Sequence, residues 1–248
     1  MFYEQPLNEC TRLCLRLEYL FAHLNHYLEK ADDHQAIRTL LEILQTIERH
    51  DLKNKLLQNL IQYRQALGQL ASYETIDHTK LNRIISEIDK LVSSLHSKQK
   101  KIGQELRENE FLNALQQRLH IPAGTCGFNL PAYQLWLAQQ PTVKNTQLLG
   151  WISQLNPLEQ IIRLLLRLTR ESGSFKAVST QNGFYQCSLD SNLTYHLARI
   201  ELEAEHSLFP EISVGRYRLV IHFFQLEPTG NSKPNATDIN FRLACCKI

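Results

Sequence analysis

Residues 215–226, GRYRLVIHFFQL, carry two guanidiniums and an imidazole among apolar residues: Arg216, Arg218 and His222. Tyr217, Leu219, Ile221 and Phe223 alternate with them, the period of a strand with one face on a core. On the other face, where side chains recur about every 7 Å, the cations form either a solvated strand face or a strip for an anionic ligand. A second set of cations has helical spacing. Arg12, Arg16, Tyr19 and His23 share a stripe opposite Leu13, Leu17, Leu20, Phe21, Leu24 and Leu28. A third set, Arg49, Lys53 and Lys55, gathers where a helix should begin. Cations there oppose the helix dipole by about 0.3–1 kcal/mol each when exposed, a local cost that hints at use elsewhere. Guanidiniums of this kind suit an anionic ligand, held by charge-assisted hydrogen bonds.

Other chemistry is not signalled. The sequence has no G-x-S-x-G, P-loop, dinucleotide fingerprint or H-E-x-x-H, so no catalysis and no cofactor are expected. The six cysteines, Cys10, Cys14, Cys126, Cys187, Cys245 and Cys246, make no C-x-x-C pair and read as reduced, small apolar residues. Adjacent Cys245 and Cys246 should point to opposite faces of a strand. A net charge of +2 offers no global field for nucleic acid, so binding must come from local clusters. No apolar run reaches membrane-spanning length, and the start of the chain lacks signal-peptide character. The 248 residues suffice for one large domain or two ordinary ones.

The elements that must position these groups change character along the chain. Residues 1–120 predict five amphipathic helices, joined as a bundle. The first starts near Asn8, the second after Asp32 and Asp33, the third after Asp51, and the others span 78–97 and 105–119. The third and fourth could project as a hairpin, a surface for dimerisation. Pro122, Gly124 and Gly127 stop the helical pattern, and Cys126 with Phe128 suggests a short strand. Helices return at Pro131, at 145–155 and at 157–172, the last apolar on most sides. From about 174 the texture is β: Asn182-Gly183 predicts a hairpin between FKAVST and FYQCSL, and further strands follow at 192–205, 215–226 and 238–246. The expected fold is α+β, with a helical domain at 1–176 and a small antiparallel β domain at 177–248, to which 119–128 may add a strand. Were the two packed edge to edge, the cations would converge in a cleft.

A set of ordered segments resembles the ZapD family of bacterial cell-division factors. They are EQPLNE (4–9), RLEYL (16–20), RLHIPAGTCGFNLP (118–131), WL (136–137), QLNPL (154–158), NGFYQ (182–186), SLFPEIS (207–213) and FRLACC (241–246). None is a catalytic motif; their number and order make the match specific. The resemblance implies a cytoplasmic homodimer, recruited to midcell, that binds the C-terminal tail of the tubulin-like GTPase FtsZ and bundles its filaments. It also implies a basic tail-binding pocket between the domains. By position Arg12, Arg16, Arg49, Lys53, Arg118 and Arg218 match that family's basic residues, with Arg216 beside them. His222 and Glu110 depart, standing where the family pattern has arginine. The competing reading of the residues is a nucleic-acid or anion-binding module built on the basic β face; the modest charge weighs against it.

Overall fold

A computed structural model describes residues 1–48, 51–73, 76–97, 100–119, 121–203 and 207–247. The chain divides into two compact units, one of Met1–Arg12 with Leu166–Ile248 and one of Leu13–Leu165. The unit boundaries fall inside helices α1 (Glu9–Glu29) and α9 (Asn156–Glu171).

The helical unit holds most of α1, then α2 (Asp33–Glu48), α3 (Leu52–Leu70), α4 (His78–Ser97), α5 (Gln104–Arg107), α6 (Glu110–Arg118), α7 (Pro131–Leu137), α8 (Pro141–Ser153) and the start of α9. Short polar side chains set the helix starts. The Asn8 carboxamide oxygen accepts from the Thr11 N–H at 2.8 Å, Asp32 from Gln35 at 3.0 Å and Asp77 from Lys80 at 3.0 Å. Asp51 stands before α3 without capping it; its carboxylate takes the Asn54 amide instead. Helix α2 is buried along most of its length, from Ala36 to Ile47. Helices α3 and α4 pack together, with Arg64 ion-paired to Asp89, and each has a buried side: Leu56, Leu60 and Tyr63 on α3, Leu81 and Ile88 on α4. Phe111, Tyr133, Trp136 and Trp151 form an aromatic cluster with ring centroids 5.9–6.3 Å apart. The Tyr133 hydroxyl meets His34 Nδ1 at 2.6 Å, and burial, with Asp32 and Asp33 adding, pushes its ionisation up to about 12.

Three expectations fail in this region. The helix predicted at 105–119 is two, because Asn109 ends α5 and caps α6 by accepting from the Leu112 N–H at 3.1 Å. Residues 121–129 are successive turns and add no strand to a sheet; Phe128 is exposed. Their backbone groups are satisfied locally, as in Gly124 N–H to Ile121 O at 2.8 Å and Cys126 N–H to Ala123 O at 3.0 Å. Helix α8 starts earlier than expected, since Pro141 opens it and needs no N–H partner there.

The other unit contains two four-stranded antiparallel sheets. One has the order β1 (Phe2–Pro6), β4 (Tyr195–Glu201), β8 (Asn240–Lys247), β2 (Lys176–Ser179). The other has β3 (Phe184–Ser188), β6 (Arg218–Leu226), β5 (Leu208–Val214), with β7 (Ser232–Pro234) also on β6. Ala198, Ile200 and Phe241 of the first sheet share a core with Leu219, Ile221 and Phe223 of the second, and Phe223 and Phe241 rings lie 5.1 Å apart. Asn182 (φ 52°) and Gly183 (φ 76°) make the expected tight turn. The strands it joins part company: β2 pairs with β8, and β3 pairs with β6 in the other sheet. The turn thus crosses between sheets. A Cβ at Gly183 would lie 2.0 Å from the Asn235 carbonyl oxygen, so only glycine fits. Strand β1 lies in a stretch too short for its period to be distinctive, yet it pairs with β4 from Phe2↔Glu201 to Pro6↔Leu197.

Candidate protein-binding surfaces

Helix α1 presents the basic stripe as its spacing requires. Leu13, Leu17, Phe21 and Leu24 are buried, which turns Arg12, Arg16 and Tyr19 to the surface. Arg12 is 3.9 Å from Glu9, and both are about half exposed. Arg16 has no ion-pair partner among the described residues. Tyr19 lies against His23 with ring centroids 4.0 Å apart, and His23 Nδ1 lies 2.9 Å from the Tyr19 carbonyl. The stripe is therefore two guanidiniums followed by an aromatic pair.

The start of this helix is anchored by one amide. While its oxygen caps α1, Asn8 Nδ2 donates to His196 Nδ1 at 3.0 Å. An amide nitrogen can only donate, so His196 must be neutral there. His196 is 3% exposed, and burial lowers its ionisation from the usual imidazole value.

Lys53 is half-buried in the first turn of α3 and has an interaction of its own. Arg118, the last residue of α6, is exposed. Arg49 lies outside the described residues.

The β strip is only partly as expected. The Gly215 N–H donates to the Arg218 carbonyl at 2.9 Å, which closes a hairpin between β5 and β6. Arg216 and Tyr217 are the two turn residues, with the Arg216 guanidinium 5.2 Å from the Tyr217 ring centre. Arg216 is thus not on the strand, and Tyr217 is exposed, not in the core. Arg218 and His222 do share the outer face of β6, but Val220 separates them, so they stand about 13 Å apart. His222 packs on Phe184 at 4.8 Å and lies opposite Glu211 of β5. Farther along this face, Phe209 stacks on Phe224 at 5.9 Å. These rings follow from strand pairing, which the sequence could not supply.

A cationic cluster that motif reading missed lies elsewhere in the same unit. Arg170 donates through Nε and Nη2 to both oxygens of Glu4, at 2.9 and 2.7 Å. Arg199 Nε donates to Glu4 Oε1 at 2.9 Å, and its guanidinium lies 5.6 Å from the Phe2 ring centre and 5.2 Å from that of Phe175. All three charged groups are mostly buried. They join β1, the end of α9 and β4. The cross-strand pair Glu4↔Arg199 is what a β1–β4 register would have revealed.

Among the described residues no group of three or more His, Cys, Asp or Glu could hold a metal ion. Cys14 is buried and Cys10 half-buried on α1. No described helix is long and apolar enough to cross a membrane.

The model of the ZapD family, described as a cell division protein, matches residues 15–222. A "Cell division protein ZapD" of Coxiella burnetii is 40% identical over 251 residues, covering 99% of this chain and 97% of the relative. Relatives of the same name from Chromobacterium violaceum and Ralstonia pickettii are each 36% identical over 252 residues. Coverage is 99% of both chains for the first and 100% of both for the second. With the family match across most of its length, an α+β fold and no catalytic signature, the chain belongs to the ZapD family of cell division proteins.

Proposed function

We propose that this protein is a non-enzymatic cross-linker of FtsZ filaments. It binds the C-terminal tail of FtsZ through cations: Arg12 and Arg16 of α1, Arg49 and Lys53 near the start of α3 in sequence, Arg118, and Arg216, Arg218 and His222 of the β5–β6 hairpin. It works as a cytoplasmic homodimer recruited to midcell, so that one molecule of dimer holds two tails. The observation that carries this reading is the open arginine stripe of α1, in a chain that belongs to a cell-division family.

The energetics suit such a role. Exposed ion pairs contribute about 0–1 kcal/mol each, so one tail on one protomer binds with roughly micromolar affinity. Two sites in a dimer gain by effective concentration with no new contact. The test is sedimentation with FtsZ polymers beside polymers that lack the C-terminal tail. Pelleting with the first alone is expected; equal pelleting with both would exclude the tail as the ligand.

A further inference from the structure

Two thiols meet where the two sheets face each other. Cys187 of β3 and Cys245 of β8 belong to different sheets, and both pack against the shared core. Each thiol is the first cause of the other's shifted ionisation, so the two side chains are neighbours across the sheets. Both are half-buried, and both line one cavity of about 320 Å³ together with Tyr185, Tyr195, Lys176 and Lys247. The next residue shows the contrast. Cys246 is fully buried on the opposite face of β8, close against Gly173, and burial pushes its thiol up to about 11.

We propose that Cys187 and Cys245 are a redox modification site, at which a hydroperoxide entering this cavity converts the dithiol to an intrachain disulfide joining β3 to β8. Cys187 is the attacking thiol. The Cys245 S–H, and then the Tyr185 O–H, stabilise its thiolate and lower its ionisation from the usual thiol value against the opposing effect of burial. The Cys245 thiol is raised, because it keeps the shared proton and is itself desolvated. Tyr195, Lys176 and Lys247 complete the titratable lining of the cavity. In the first step the Cys187 thiolate attacks the peroxide and breaks the O–O bond. Sulfur takes one oxygen as the sulfenic acid and the alkoxide or hydroxide leaves. In the second step the Cys245 sulfur attacks Cys187, the S–O bond breaks, and that oxygen departs as water with the Cys245 proton. Overall two thiols are oxidised and one peroxide is reduced to an alcohol or water, and to water.

The test treats the full-length native protein with hydrogen peroxide, alkylates the remaining thiols and maps peptides without reduction. A peptide linking Cys187 to Cys245 is expected, with loss of alkylation at those two cysteines alone and recovery on adding dithiothreitol. In the Cys245→Ser protein, Cys187 is expected to accumulate a sulfenic acid that dimedone traps; in the Cys187→Ser protein, no dimedone adduct forms at Cys245. Circular dichroism checks that both variants are folded, and the wild-type peptide map decides the matter if either is not. Unchanged alkylation of both cysteines, or linkage of either to a different cysteine, overturns the proposal.

Discussion

Two groups of arginines differ in what surrounds them. Arg170 and Arg199 are both bound to the Glu4 carboxylate, mostly buried, and Arg199 also lies over two phenyl rings. Arg16 and Arg218 are exposed, with no ion-pair partner among the described residues. The first group stitches β1 to α9 and β4 and has its charge half compensated on the spot. The second leaves its donors open to an anionic ligand. Arginine content alone does not separate a joint from a binding surface; the partner does.

Glu4→Ala should show the largest effect. It leaves two mostly buried guanidiniums without their acceptor, at a cost of about 2–3 kcal/mol in unfolding free energy, read by urea denaturation. Binding by the folded fraction should be unchanged. If stability were lost from Arg16→Glu and not from Glu4→Ala, the two groups would have been assigned the wrong way round.

The Asn8–His196 contact gives a pH test of a second internal anchor, at the start of α1. The folded-state ionisation of His196 is depressed, so the unfolded chain takes up its proton first as pH falls. The stability from neutral His196 is therefore complete above about pH 6.5, the ordinary imidazole value, and declines below it toward the folded value. Unfolding free energy measured across this range should fall with acidification, and His196→Gln should flatten the curve. An identical pH profile for that variant would remove His196 as the cause.

The open arginines should behave in the opposite way. Arg16→Glu or Arg218→Glu should weaken FtsZ pelleting roughly tenfold, as expected for replacing attraction by repulsion at an exposed site, while stability changes by less than about 0.5 kcal/mol. Raising salt well above 0.15 M, where the Debye length is about 8 Å, should reduce bundling in parallel. Salt-independent bundling would indicate an apolar contact. The smallest effect belongs to His222→Arg, which should tighten binding at most about fivefold, measured by fluorescence anisotropy with a labelled tail peptide. Weaker binding would place His222 outside the contact.

Much of this arrangement was legible in the chain. The α1 stripe followed from strong helical periodicity, with Leu13, Leu17, Phe21 and Leu24 buried. Asn8 is the cap, and Leu219, Ile221 and Phe223 face the core as their alternation required. What escaped was long-range pairing. A two-residue turn at Asn182-Gly183 has a local signature, but whether its arms stay paired depends on β8 and β6, more than 30 residues away. For the same reason the Glu4 cluster was missed, since its partners are 166 and 195 residues distant in sequence. Arg216 was misplaced on the strand because alternation alone does not mark where a hairpin turns; Gly215 was the available signal. The break at Asn109 could have been found, as an asparagine three residues before the buried Leu112 is an N-cap pattern.

The most direct test of the contrast is one sedimentation series with FtsZ polymers, comparing wild type, Arg16→Glu/Arg218→Glu and an Arg163→Glu control. Arg163 is also highly exposed, but stands beside Glu159 on α9. Loss of pelleting in the double variant alone, with all three proteins equally stable to urea, is the predicted result. Wild-type pelleting by the double variant, or equal loss in the Arg163→Glu protein, would contradict the assignment of the open arginines as the binding surface.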